Sequence, residues 1–214
     1  AARMQGASKD RPDELVVGLN DRDPQYHDLY IVNTRTAERT LLKENEGYAG
    51  YMLDNDWNIR GRVNMTEDGG TLTELKDMET GEWFEFLKVG QEDSVGTSPG
   101  GFNRKGDKLY GSYSIDRDKA AVVWWSPTKS GASNPTVVFE SEKADVFGSI
   151  SNPDTYEPEA IAVNYLRPEL TVIDNSDNIA TDIENIEKLG GKDFSITDRT
   201  KDNRTWVIAF GSPD

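Results

Sequence analysis

The chain has 214 residues, a net charge of −15 from 24 Lys+Arg against 39 Asp+Glu, one histidine and no cysteine. A chain without thiols excludes disulfide scaffolds, Cys–zinc sites, iron–sulfur clusters and thiol nucleophiles, and one histidine allows no multi-His metal site and at most one Ser–His–Asp triad. The acidic balance argues against sequence-independent binding of nucleic acid, which runs on phosphate neutralisation by Lys and Arg, and no apolar run reaches the roughly 20 residues of a membrane helix.

In chain order, short strands separated by polar turns dominate. The first unit reads as strands at residues 14–19, 28–33 and 39–42, the last two joined by a turn at 34–38. His27 falls where the second of these begins, the place of a turn or strand-edge residue. The next strands are 48–53, 58–63, 71–77 and 83–87, with a turn at 78–82. Between the first two, Asp54, Asp56 and Asn58 set oxygens at alternate positions, as a calcium loop opens. Ile59 and Met65 then stand where such a loop needs Gly and Glu, so the stretch reads as a polar turn. A third group follows at 93–97, 108–113, 121–126 and 136–139, with a turn at 127–131. Ser98-Pro99-Gly100-Gly101, inside this group, is too short for a phosphate loop and lacks its lysine. Strands at 146–150, 160–165 and 169–174 come next. A helix at 176–189 then places Ile179, Ile183, Ile186 and Leu189 on one face, with Asp174, Ser176 and Asp177 at its N-terminus and Gly190-Gly191 to end it. A last strand is expected at 205–210.

These elements repeat. The polar residues that close one strand type, Asn33, Asp77, Ser126 and Asp174, are spaced by 44, 49 and 48 residues. Four strands per roughly 40–50 residues is the unit of a β-propeller, whose blades bury their faces against one another; a β-sandwich is the alternative. The fold class expected is all-β, a partial β-propeller of about four four-stranded blades plus the start of a fifth, with one short amphipathic helix. The chain then forms a single partial propeller domain, 1–214, with units at 14–45, 46–90, 91–141, 142–190 and 191–214. The helix takes the place of the outer strand of the fourth unit and packs on a blade edge.

Catalytic chemistry is thin. No Gly-x-Ser-x-Gly elbow occurs, and no activated serine can be matched to His27. Asn64-Met65-Thr66 and Asn203-Arg204-Thr205 match the glycosylation sequon, a short pattern that arises often by chance. An Asp-Arg theme recurs at Asp21-Arg22-Asp23, Asp116-Arg117-Asp118 and Asp198-Arg199. One reading is a charged turn in which Arg bridges carboxylates and backbone carbonyls. The other makes Arg22, Arg117 and Arg199, with Arg60, residues that line a channel or gate a substrate. No catalytic residue, metal ligand or cofactor is assigned.

The order of motifs resembles the N-terminal propeller of S9-family serine peptidases, the prolyl oligopeptidase and acylaminoacyl-peptidase group. The resemblance rests on Val17 to Asp23 with His27-Asp28-Leu29-Tyr30, then Glu44-Asn45, Asp54 to Arg60, and Asp68-Gly69-Gly70. It continues through Gly101-Phe102, Leu109-Tyr110, Asp116 to Asp118 with Ala120-Ala121, Ala144-Asp145-Val146 and Asn152-Pro153-Asp154. It ends with Tyr165-Leu166-Arg167, Asp198-Arg199-Thr200, Asp202 and Trp206. It implies a propeller that screens short peptides or peptide N-termini for an α/β-hydrolase domain carrying the Ser–Asp–His triad. No position here matches the nucleophile motif, so no catalytic residue carries over.

The expectation is therefore a non-catalytic propeller fragment of a serine peptidase. Its partners would be the hydrolase domain of the same parent chain and, through it, a peptide substrate. A free-standing propeller acting as a protein-interaction module is the alternative. Blade faces without neighbours predict self-association or an open arc. Neither nucleic acid nor membrane is expected as a partner, and localisation stays open, with cytoplasm favoured over periplasm.

Overall fold

The computed structural model describes residues 1–211, so residues 212–214 of the last expected unit lie outside the described residues. Five antiparallel sheets follow one another along the chain, each built from consecutive strands. Blade 1 comprises β1 (Ala2–Ala7), β2 (Glu14–Leu19), β3 (Asp28–Asn33) and β4 (Arg39–Lys43). Blade 2 comprises β5 (Gly50–Leu53), β6 (Ile59–Met65), β7 (Thr71–Lys76) and β8 (Trp83–Val89). Blade 3 comprises β9 (Ser98–Phe102), β10 (Leu109–Tyr113), β11 (Ala121–Trp125) and β12 (Thr136–Phe139). Blade 4 has three strands, β13 (Val146–Ser151), β14 (Pro158–Tyr165) and β15 (Arg167–Val172), followed by α1 (Ile179–Gly190). A two-stranded sheet, β16 (Phe194–Arg199) with β17 (Trp206–Phe210), comes last. The propeller plan expected from the repeat is the one observed.

The cores lie between blades. One cluster joins Met52, Leu75, Phe86, Leu87 and Val89 of blade 2 to Phe102, Leu109, Ala121, Val123 and Trp125 of blade 3. Another joins Val16 and Leu29 of blade 1 to Trp57, with Tyr51 and Leu53 of blade 2 packed against them. A blade covered on both sides buries both faces of its middle strands, which is why β11 reads as an unbroken apolar run, Ala121-Val122-Val123-Trp124-Trp125. Trp125 is fully buried and meets Phe86 and Tyr113 edge-on. Gly111 makes room for it: a Cβ there would lie 2.3 Å from the Ser98 carbonyl and 2.8 Å from the Trp125 ring.

Four elements differ from the sequence expectation, the first being β16, where no strand was expected. The strand expected at 93–97 is a turn, and β9 follows it at Ser98–Phe102. Pro99, Gly100 and Gly101 hide this strand from a propensity reading. They are tolerated because β9 is an edge strand, paired only with β10 among the described residues, where a proline that cannot donate does no harm. The first unit begins before residue 14, with β1, which is exposed along most of its length and so shows no apolar alternation. The helix starts at Ile179 rather than 176, because Asn178 takes a left-handed φ of 60° that cannot belong to the helix; the Asn175 side chain accepts from the Ala180 amide at 2.9 Å instead. Ile179, Ile183 and Ile186 are buried as expected, whereas Leu189 is 81% exposed. At that last turn it is Gly190 that meets the Phe210 ring. The helix thereby wedges between blade 4 (Ile150, Ala160, Leu170, Val172) and the last sheet (Phe194, Trp206).

Candidate functional site

Each sheet turns between its first and second strands through a short polar loop: 8–13, 54–58, 103–108, 152–157 and 200–205. Asn and Asp organise them by accepting local amides, a turn chemistry these side chains perform well. Asp54 accepts from the amides of Asp56 and Asn58 at 3.0 and 2.9 Å, the polar-turn arrangement. Asn103 accepts from Lys108 at 3.1 Å. Asn152 accepts from Asp154 and Thr155, both at 2.9 Å.

These loops converge and bind one another. Asp10, from the loop of blade 1, accepts from Arg104 of blade 3 and from Lys201 of the last sheet. Both hydrogen bonds hold its carboxyl below the usual carboxylate range. Lys9 pairs with Asp198 and lowers that carboxyl in the same way. The amide of Arg104 donates to the Thr155 carbonyl at 2.8 Å, and its side chain donates to the Asp154 carbonyl. Asn103 and Lys108 of blade 3 both donate to Glu157 of blade 4, at 3.0 and 2.9 Å. Burial pushes the Glu157 carboxyl up, but those donors outweigh it and the net shift is down. Asn55 donates to the Asn103 carbonyl at 3.3 Å, linking blades 2 and 3. The first and last sheets are thus tied by ion pairs, without strand pairing between them among the described residues.

A cavity of about 490 Å³ opens at the innermost strands and extends between blades 3 and 4, lined by Ala7, Leu53, Gly100, Ser112, Val122 and Tyr156 among others. A second, of about 800 Å³, lies between blade 1 and the last sheet, lined by Lys9, Arg11, Tyr156, Thr197 and Lys201. A third, of about 190 Å³, touches Ser151, Tyr156 and Ile196.

The four arginines singled out from sequence stand in separate places, each engaged with a carboxylate. Arg22 grips the buried Asp28 with two hydrogen bonds of 2.7 and 2.8 Å and donates to the Asn45 carbonyl at 2.9 Å, bridging carboxylate and backbone in a turn. Arg60 lies 3.6 Å from Asp54, donates to the Gly106 carbonyl at 3.2 Å and covers the Phe102 ring at 4.6 Å. Arg117 pairs with Glu140. Arg199 meets Glu159 at 2.6 Å, donates to the Ser151 carbonyl, and stacks on Trp206 at 4.7 Å. His27 is held below its usual pKa by burial, with Arg3 and the N-terminal amine adding to it, and its Nε2 has no partner among the described residues.

Tyr156 and Arg104 escaped the sequence reading. A signal was present. Asn33-Thr-Arg-Thr-Ala37, Asp77-Met-Glu-Thr-Gly81 and Asn152-Pro-Asp-Thr-Tyr156 form the same turn. In each, the Asn or Asp oxygen takes the next two free amides and the Thr hydroxyl takes a third. The fifth residue is left-handed every time, with φ of 59°, 77° and 60°.

No protein-family model matches the chain. Dipeptidyl aminopeptidase BIII of Pseudoxanthomonas mexicana is 36% identical over all 214 residues, which span 30% of that protein. Dipeptidyl peptidase family member 6 of Caenorhabditis elegans is 22% identical over 210 residues, covering 94% of this chain and 28% of its own length. Among solved structures, TolB from Acinetobacter baumannii superposes with a TM-score of 0.52 at 11% identity, over 81% of this chain and 41% of that one, a likeness of fold alone. The bladed architecture and these relatives together fit an N-terminal propeller portion of an S9-family peptidase, the family that the motif order resembles. The chain spans less than a third of the length of either curated relative.

Proposed function

We propose that this propeller screens peptide substrates for a serine-type S9 peptidase and supports the hydrolase domain that cleaves them. The observation that carries the reading is the 36% identity to a dipeptidyl aminopeptidase along every residue of the chain. The convergent loops supply the means. Their charges are largely matched, Asp10 by Arg104 and Lys201 and Asp198 by Lys9, so they present hydrogen-bonding groups without a strong net field. A passage of that kind admits a peptide on size and backbone polarity rather than on charge. Arg60 and Arg199 serve it from the blade junctions, by holding neighbouring sheets in register. Exposed Phe147, Leu166, Leu189 and Val207 further support self-association of the chain on its own.

The test compares the purified chain with the whole protein on aminoacyl and acyl-peptide chromogenic substrates. The whole protein is expected to release product in a reaction blocked by a serine-directed inhibitor, and the 214-residue chain to release none. Inhibitor-sensitive turnover by the chain alone, or an inert whole protein, overturns the reading.

A further inference from the structure

Tyr156 occupies a position that its turn does not ask it to fill. The two sister turns place Ala37 and Gly81 at the equivalent left-handed residue. A bulky aromatic with φ of 60° is disfavoured there by contact between its Cβ and the backbone. Residues kept in such conformations against local preference cluster at functional positions. The hydroxyl does not account for the placement either, because it is buried with no hydrogen-bond partner among the described residues. What the ring does touch is informative. It is the one residue, among those described, that lines the central cavity of about 490 Å³, the cavity of about 800 Å³ between blade 1 and the last sheet, and the small one beside them.

The ring is also held. The Arg104 guanidinium lies 4.9 Å from its centroid. Arg104 is itself fixed by Asp10 from blade 1 and by the Asp154 carbonyl in the same loop as Tyr156. A cation over an aromatic face, pinned from two sides, keeps the ring from swinging away. Gly100, Gly101 and Gly148 line the central cavity, so backbone forms part of its wall, and Tyr156 shares the rest with Leu53, Phe102, Tyr110 and Phe147.

We propose that Tyr156 is the constriction of the inner passage: an aromatic wall, braced by Arg104, that separates the central cavity from the one beside blade 1 and sets how bulky a peptide can pass. The proposal rests on the peptide-screening reading above. It names the residue that does the screening.

The chain has no cysteine, which allows a direct test. Ser112→Cys places one thiol on the central cavity and Thr197→Cys another on the cavities beyond Tyr156. A short bis-maleimide is expected to join them poorly with Tyr156 in place and several-fold better after Tyr156→Gly. Glycine suits the left-handed turn and offsets part of the packing lost with the ring, and a cooperative melt checks that the variant is folded. Tyr156→Phe keeps the ring and should crosslink like the parent. Equal yields in the Tyr156 and Tyr156→Gly backgrounds overturn the constriction. In the whole protein, Tyr156→Gly should raise kcat/KM for peptides with bulky side chains several-fold relative to the smallest chromogenic substrate. A raised crosslinking yield with unchanged selectivity would instead refute the peptide path and the screening role drawn from it, leaving the wall itself standing.

Discussion

The Glu159 carboxylate meets the Arg199 guanidinium at 2.6 Å with both side chains almost wholly withdrawn from water, at 2% and 4% exposure. Asn152 donates to the other Glu159 oxygen at 2.9 Å, and Arg199 also reaches the Ser151 carbonyl. The pair couples blade 4 to the last sheet. Removing one member leaves the other buried without its counter-charge, which costs about 3–5 kcal/mol, whereas replacing both by apolar residues of similar size costs much less. Glu159→Ala and Arg199→Ala should each lower the urea midpoint strongly, and Glu159→Leu with Arg199→Met should recover most of the loss. A Glu159→Ala variant as stable as the parent would remove the pair from the forces holding the last sheet.

Trp125 tests the packing between blades 2 and 3. It is fully buried against Phe86 and Tyr113, and truncating such a side chain to Ala costs about 3–5 kcal/mol. Its indole nitrogen has no partner among the described residues, so Trp125→Phe gives up volume but no hydrogen bond and should cost distinctly less than Trp125→Ala. Trp124, its neighbour on the opposite face, is only partly buried and lies under Lys108 at 5.6 Å. Equal losses for Trp124→Ala and Trp125→Ala in thermal melts would contradict the assignment of the core to the Trp125 side.

The repeat was legible because middle strands between two blades carry their burial in their residue types. β2 and β3 begin and end where the pattern puts them, and so does the outer edge strand β12, which follows its blade's hairpin turn. The innermost strands were harder. β1 faces outward along most residues, and β9 carries proline and glycines, so neither shows an apolar rhythm. Site residues were harder still, since a contact such as Asp10 with Arg104 joins positions 94 residues apart, and nothing in either loop announces its partner. Only the turn pattern around Asn152 could have drawn notice to Tyr156. The arginine theme pointed to charged turns, and Arg22 behaves as that reading says.

Acid should weaken blade 1 through Asp28. The Arg22 hydrogen bond lowers its pKa, burial opposes this, and the Asn45 amide at 2.7 Å lowers it further, for a net shift below 3.8. A carboxyl depressed in the folded state contributes stability that is fully present above the unfolded value. That contribution is lost as pH falls through the folded one. The window therefore opens near pH 4, about the unperturbed Asp value, and extends below it. Asp28→Asn should be less stable than the parent at pH 7 and lose less of its remaining stability on acidification through that window. Parallel stability–pH curves for the two proteins would show that Asp28 does not carry the effect.

The sister turns offer a measurement in which conformation acts alone. Gly81 has φ of 77°, and a Cβ built there meets nothing within 4 Å. Gly81→Ala therefore introduces no clash. It forces a side chain into the left-handed region, at about 1–2 kcal/mol, partly offset by the roughly 0.5–1 kcal/mol that glycine forfeits through its greater freedom in the unfolded chain. Ala37 sits exposed at φ of 59° in the matching turn of blade 1, so Ala37→Gly reverses both contributions. Urea unfolding should show Gly81→Ala destabilised and Ala37→Gly stabilised by similar amounts, each about 0.5–1 kcal/mol from those two opposing effects. Changes of the same sign would mean that the two turns, despite their shared Asx and Thr hydrogen bonds, are not held by the same local physics, and the comparison that marks Tyr156 as out of place would lose its footing.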